Sequence, residues 1–381
     1  MAGLYIHIPY CRSKCYYCDF YSRPAKDTDI EAYIEALVNE WHSRRHEIEE
    51  PYSTVYIGGG TPSLIDDKLL AQLIDGLSKD ISFSKLEEFT IEANPEDISE
   101  RRIKQWQAMG INRVSIGIQT FSQSELDAIG RRHPASAGVD AIKQLSAKGI
   151  NYNADLIYGL PGQTLQKWEY NLHRLLDYNP PHFSAYLLSY EPGTRLTAMR
   201  DKGSVNEASE ELACAMYDNL CEIAASYGYM HYEISNFSRS GMEARHNSSY
   251  WNYTPYIGLG VSAHSFDGSV RRFNPNDLKR YIDSMNNGKT FYVIDDENAR
   301  NRFNDYLITS LRTRAGFSIS FAKRMFGSEI VREFYVNLNN LHSVFEIKSA
   351  MAPVINMSDD TLVIPEKLWL KSDAIFRELI V

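Results

Sequence analysis

Cysteine is scarce in this chain. Five residues in 381, an odd number, argue against the disulfide framework of a small secreted domain. Long hydrophobic runs are missing as well. No stretch approaches the roughly 18 apolar residues of a membrane-crossing helix. The start, MAGLYIHIPYC, carries neither the basic region nor the apolar core of a secretory signal. A cytoplasmic protein without an integral membrane segment is expected. Basic charge is in deficit, with 40 Lys and Arg against 49 Asp and Glu and a net charge of -9. That balance argues against nucleic acid as a partner of the whole chain. Internal repeats and low-complexity tracts are absent too. What remains, 44% hydrophobic and 23% charged, is the composition of folded domains. The length implies a large domain with a smaller appendage.

Six short runs rich in β-branched and aromatic residues mark strands: GLYIHI, TVYIG, EFTIEA, RVSIGI, NADLIY and FSAYLL. Helical periodicity separates them. In DIEAYIEALVNEWHSRR, Ile30, Tyr33, Ile34, Leu37, Val38 and Trp41 share one face, with Thr28 or Asp29 as N-cap. Strand-then-helix units imply parallel strands with right-handed crossovers. Glycine and polar residues gather at the strand C-terminal ends, which favours an α/β barrel over an open sheet. The expectation is a partial (β/α)6 barrel over residues 1–225. An aromatic and histidine-rich region closing the barrel follows at 226–290, and a mostly helical, winged-helix-like domain at 291–381. In that last domain PVINMSDDTLVIPEKLWLKSDAIFREL reads as two short strands, a turn at Ser358 to Asp360, and a helix.

Three of the five cysteines stand in YIHIPYCRSKCYYCDFYS. Cys11, Cys15 and Cys18 follow C-x3-C-x2-C with no fourth cysteine nearby. Clustered thiolates suit zinc or an iron–sulfur cluster. A closed zinc site would have to recruit a fourth ligand such as His7 or Asp19. A four-iron cube on three cysteines would leave one iron open to a small molecule. Cys214 and Cys221 lie on the apolar stripe of Leu212, Met216, Leu220 and Ile223 and read as core.

The C-x3-C-x2-C motif with an aromatic before its last cysteine, Tyr17, resembles the signature of radical S-adenosylmethionine (SAM) enzymes. In that superfamily the open iron of a [4Fe-4S] cluster binds SAM, and an electron from the cluster cleaves it to methionine and a 5'-deoxyadenosyl radical. YIGGGTPS resembles the superfamily's glycine-rich turn, where missing side chains permit close approach. The ordered blocks YIHIPYC, GGGTPS, IEANPED, RVSIGIQTF, GRRH and DLIYGLPGQT are similar to those of the oxygen-independent coproporphyrinogen III oxidase family over about residues 4 to 190. By position the resemblance implies a SAM pocket of Tyr5, Tyr17, Gly59, Gly60, Thr61, Glu92, Gln119, Arg131 and Asp155. Each has an ordinary reading beside it. Glu92 would be an exposed strand end, Arg131 with Arg132 a solvated helix face, Gln119 a cap, and Asp155 an acid held by backbone donors.

Two features separate the chain from the oxidase. Its fourth cysteine, two places after the third, is Phe20 here, and the oxidase's N-terminal extension has no counterpart before Tyr5. HNSSYW, residues 246–251, instead resembles the HN-x2-YW block of the related radical SAM heme chaperones. That resemblance implies heme as a further cofactor and heme-accepting proteins, such as those of respiratory chains, as partners. His246 is then the first candidate for the heme iron, ahead of His231 and His264, with Tyr250, Trp251 and Tyr253 packing on the macrocycle. Oxidative decarboxylation of coproporphyrinogen III and a purely structural metal site stand as the alternatives. A homodimer is left open.

Overall fold

In the computed structural model, which describes residues 1–25, 27–295, 298–348, 355–358 and 360–381, the six expected runs form β1 (Ala2–Ile8), β2 (Tyr52–Gly59), β3 (Glu88–Ala93), β4 (Arg113–Gln119), β5 (Asn151–Tyr158) and β6 (His182–Leu187). They lie side by side in chain order, every neighbouring pair parallel. Their near-continuous burial reflects helices packed outside and side chains filling the inside. Tyr33, Ile34, Leu37 and Trp41 of the first helix are buried as expected. That helix starts at Asp27, so Thr28 and Asp29 lie within it rather than at its cap.

Residues 226–290 flank the sheet at both edges. β7 (Met230–Glu233) and β8 (Asn236–Ser238) extend it antiparallel beyond β6. On the other side β9 (Tyr256–Leu259) runs parallel to β1. Three antiparallel strands follow it, β10 (His264–Phe266), β11 (Arg271–Phe273) and β12 (Val293–Asp295). The resulting order is β12-β11-β10-β9-β1-β2-β3-β4-β5-β6-β8-β7. Residues 293–295, expected in the C-terminal domain, thus belong to the large sheet.

Helices Ala299–Leu311, Ile319–Phe326 and Ser328–Lys348 come next. A ribbon of Phe317–Ser318, Thr361–Val363 and Asn356–Met357 accompanies them, and the helix Ser372–Leu379 ends the chain. The expected turn is closed by Ser358 N–H to the Thr361 carbonyl at 2.9 Å and by the reverse bond at 3.1 Å. Its middle residue, Asp359, lies outside the described residues. Tyr253, expected against a macrocycle, is buried at the joint between sheet and C-terminal helices, its ring 4.4 Å from Phe266 and 5.7 Å from Tyr306. Among the described residues no helix is long and apolar enough to cross a membrane.

Candidate functional site

A cavity of about 470 Å³ opens at the C-terminal ends of the parallel strands, where β/α barrels build their sites. Cys11, Cys15 and Cys18 form one wall. The loop that carries them leaves β1 and is pinched at its neck, where Tyr10–Cys11 pairs in parallel with Arg23–Pro24. Its tip is anchored through Tyr16. The Tyr16 N–H donates to the Ile129 carbonyl at 3.0 Å, its carbonyl accepts from Leu196 N–H at 2.7 Å, and the Arg195 guanidinium lies 3.8 Å over its ring. Tyr16 and Tyr17 pack on a small apolar cluster of Ile129, Ile157, Leu160, Leu188 and Leu196, separate from the main core. The aromatic pair before Cys18 therefore clamps the loop to the barrel rim.

All three thiols are free and half-buried. Burial pushes Cys11 above the usual thiol range and Cys18 up to about 11, a setting in which a bound cation would hold them as thiolates. Among the described residues, one group of three His, Cys, Asp or Glu brings its ligand atoms within 4.8 Å of one another, and it is Cys221, His231 and Glu366. The three motif sulfurs are therefore not all within that distance of one another. A single tetrahedral zinc would draw sulfurs to about 3.8 Å, given Zn–S bonds of about 2.3 Å, so this wall fits a cluster better than one ion. Of the two residues considered for a fourth ligand, Asp19 lines the cavity. His7 faces elsewhere, its Nε2–H donating to the Tyr21 carbonyl at 3.1 Å while Nδ1 accepts from the Tyr5 hydroxyl at 2.9 Å.

The glycine turn at the end of β2 is dictated by packing. A Cβ on Gly59, whose φ is +111°, would sit 2.5 Å from the His7 ring. One on Gly60 would sit 2.7 Å from the Tyr10 carbonyl oxygen, and one on Gly58 2.7 Å from the Tyr56 ring. The turn lies directly against the cysteine loop: Gly60 N–H donates to the Ile8 carbonyl at 2.7 Å and Thr61 N–H to the Tyr10 carbonyl at 2.8 Å. The Thr61 hydroxyl reaches the Cys11 sulfur at 3.4 Å.

Two carboxyl groups and one guanidinium make the floor. Glu92 accepts from the Tyr56 hydroxyl at 2.8 Å and from Gly59 N–H at 2.9 Å. Asp155 accepts from Asn153 Nδ2 at 2.6 Å and from the Ser115 hydroxyl at 3.3 Å, so side chains hold it rather than the backbone. Both face the cavity with protein around the rest of each side chain. Burial pushes Glu92 up to about 7, with the Asp155 charge adding to the effect, and burial raises Asp155 as well. Arg131 enters from the GRRH segment, its Nη1 donating to Asn94 Oδ1 at 2.9 Å. Its Nε is buried without a hydrogen-bond partner among the described residues. Gly117 makes room for it, since a Cβ there would meet Arg131 Nη2 at 2.6 Å and Gln119 Nε2 at 2.7 Å. Gln119 has φ +67°, a left-handed backbone that costs a non-glycine residue energy and recurs at functional sites. Two acids and one base match a ligand with a sulfonium, an ammonium and a carboxylate, and the orphaned Arg131 donor fits the last of these.

Tyr17, Gly59, Gly60, Thr61, Glu92, Gln119, Arg131 and Asp155 thus converge on one cavity with the three cysteines. Tyr5 does not line it; its ring packs 6.2 Å from Tyr56, inside the barrel. His246 stands farther back, on the helix Arg245–Trp251. It is fully buried, its ring stacks 5.3 Å from Tyr56, and both nitrogens are taken, Nδ1 by the Thr54 hydroxyl at 2.8 Å and Nε2 by the Tyr250 hydroxyl at 2.8 Å. In this arrangement it offers no nitrogen to a heme iron and instead backs the Tyr56–Glu92 pair. His264 is exposed on β10 and His231 is buried against Phe237. Neither lines the cavity. Sequence reasoning missed Asn94, His133 and the rim residues Tyr186 and Leu187. The rule that barrel sites sit at strand C-terminal ends could have flagged the last two, at the end of β6.

Residues 5–175 match the radical SAM superfamily. The heme chaperone HemW of Lactococcus lactis is 35% identical over 338 residues, 86% of this chain and 87% of that protein. The heme chaperone HemW of Bacillus subtilis is 34% identical over 322 residues, covering 84% and 85%. Among solved structures, coproporphyrinogen III oxidase (HemN) from Escherichia coli aligns with a TM-score of 0.83 over 100% of this chain and 90% of that one, at 20% identity. That last likeness is one of fold.

Proposed function

Because the chain belongs to the radical SAM superfamily and, within it, to the heme chaperone family, we propose that it binds heme and delivers it to acceptor proteins, with a [4Fe-4S] cluster and SAM held in the barrel-end cavity. Cys11, Cys15 and Cys18 would hold the cluster, and when bound it supplies the electron for SAM cleavage. Arg131 would pair with the SAM carboxylate, while Glu92 and Asp155 take its positive groups and ribose hydroxyls. Gln119 and the Gly59–Thr61 turn fix the ligand's position. Tyr17 shields the wall from water.

One observation carries the choice of carrier over oxidase: the place of the oxidase's fourth cysteine is Phe20, 63% exposed at the cavity mouth. With Tyr186 and Leu187, each 40% exposed on the same rim, it offers an apolar face to a flat macrocycle just outside the cofactors. The acceptors would be reached in the cytoplasm.

The test is a heme titration of anaerobically reconstituted protein, run beside turnover with coproporphyrinogen III, SAM and a reductant. A shifted Soret band saturating near one heme per chain, without porphyrin product, is the expected result. The Cys11→Ser, Cys15→Ser and Cys18→Ser variants should each lose iron and sulfide together. Zinc in place of iron, or an unshifted Soret band, would end the proposal.

A further inference from the structure

Away from the cavity, a thiol, an imidazole and a carboxylate from three separate elements meet at one point. Cys221 comes from the helix Glu210–Ser226, His231 from β7, and Glu366 from the 3-10 helix Glu366–Lys371 of the C-terminal region. Their ligand atoms all lie within 4.8 Å of one another. His231 Nδ1 is 2.7 Å from Glu366 Oε1 and 3.8 Å from the Cys221 sulfur.

Both ring nitrogens of His231 face acceptors, Nε2 the Ile234 carbonyl oxygen at 3.3 Å and Nδ1 the Glu366 carboxylate at 2.7 Å, so in the metal-free protein the Nδ1 hydrogen sits against Glu366. Without that hydrogen the ring turns an Nδ1 lone pair toward Glu366 and Cys221. Three electron-rich atoms then face one another, and either a proton or a cation must sit among them. A ligating histidine whose other nitrogen donates to a carbonyl is the usual arrangement behind a metal. The Tyr217 hydroxyl, buried one helical turn before Cys221, faces the Cys221 sulfur and is placed to donate to it as a thiolate.

We infer that Cys221, His231 and Glu366 form a binding site for a divalent cation of the zinc class, a mixed sulfur, nitrogen and oxygen set with its fourth position open to water on the half-exposed side of Glu366. Binding releases the Cys221 thiol proton and the His231 Nδ1 proton to solvent, and a metal–sulfur and a metal–nitrogen bond form in their place. The cation ties the C-terminal segment to the barrel helix. It does so next to a groove lined by Leu370, Lys371 and Cys214, which shares Leu187 and Leu188 with the rim of the main cavity.

Cluster-loaded protein, whose three motif cysteines are occupied by iron, is equilibrated with Zn2+, desalted and analysed for metal. One zinc per chain is expected in the parent, with at least tenfold weaker retention in Cys221→Ser and in Glu366→Gln, the second a surface change that leaves the core untouched. Co2+ in place of zinc should give tetrahedral thiolate bands in the parent that Cys221→Ser removes. Parent protein that retains no zinc, or retains it equally in both variants, would overturn the inference. The heme and SAM readouts do not depend on this result.

Discussion

At the scale of single residues, the cavity floor holds its charges at a cost. Glu92 titrates near 7 in the folded chain, against about 4.5 for an ordinary glutamate, because burial disfavours the ionised form. The sign follows from proton linkage. Folded and unfolded chains are both protonated well below pH 4.5. As pH rises, the unfolded chain ionises first, so the cofactor-free protein loses stability until Glu92 itself ionises near 7. Glu92→Gln should stabilise cofactor-free protein at pH 8 by about 1–3 kcal/mol and much less at pH 5, as urea unfolding would show. The same change should weaken SAM binding to cluster-loaded protein at least tenfold. Equal stability gains at both pH values would remove the burial argument. The three cysteines, the glycine turn and the acids at strand ends were readable from residue type and spacing. Tyr5 and His246 lie outside the cavity lining. Which way a side chain turns, and which partners saturate it, depends on Tyr56, Thr54 and Tyr250, remote in sequence and adjacent only in the fold.

At the scale of elements, the cysteine loop is held by a few contacts at its two ends. Arg195 over Tyr16 is worth about 0.5–2 kcal/mol as a cation–π pair. Arg195→Ala should leave global unfolding nearly unchanged while cluster loss to a chelator becomes several-fold faster, followed by the decay of the visible absorbance. An unchanged rate would show that the neck alone fixes the loop. That neck depends on Gly60, whose replacement by Ala drives a Cβ into the Tyr10 and Ile8 carbonyls at 2.7 and 2.9 Å. Gly60→Ala should cost about 2–4 kcal/mol in urea unfolding and lower iron content as the loop shifts. The six parallel strands were legible because strands buried on both faces read as unbroken Ile, Val and Tyr runs. β7 through β12 were not, since elements of three or four residues carry too little pattern to mark a strand. Cys221, expected in the core from its helical stripe, is half-buried beside His231 and Glu366, a meeting that no local spacing announces.

At the scale of the whole molecule, the strands of one sheet bring residues from 11 to 189 around a single cavity. A ligand that touches the ends of several strands should therefore stabilise the domain as a unit. SAM at a hundredfold excess over its dissociation constant should raise the stability of cluster-loaded protein by about 2.7 kcal/mol, read as a rise of several degrees in the thermal midpoint. Glu92→Gln should erase most of that rise at the same SAM concentration. A midpoint that ignores SAM would separate the cavity from its proposed ligand. The sequence by itself determined the cysteine motif, the parallel α/β core and the family, because these rest on local spacing, on hydrophobic runs and on blocks in fixed order. Only the tertiary structure decided that His246 faces inward with both nitrogens bonded, that β9 continues the parallel sheet, and that Glu366 returns to meet Cys221 and His231. Those outcomes are contacts between segments distant in the chain, set by the packing of the whole and written in no single stretch of it.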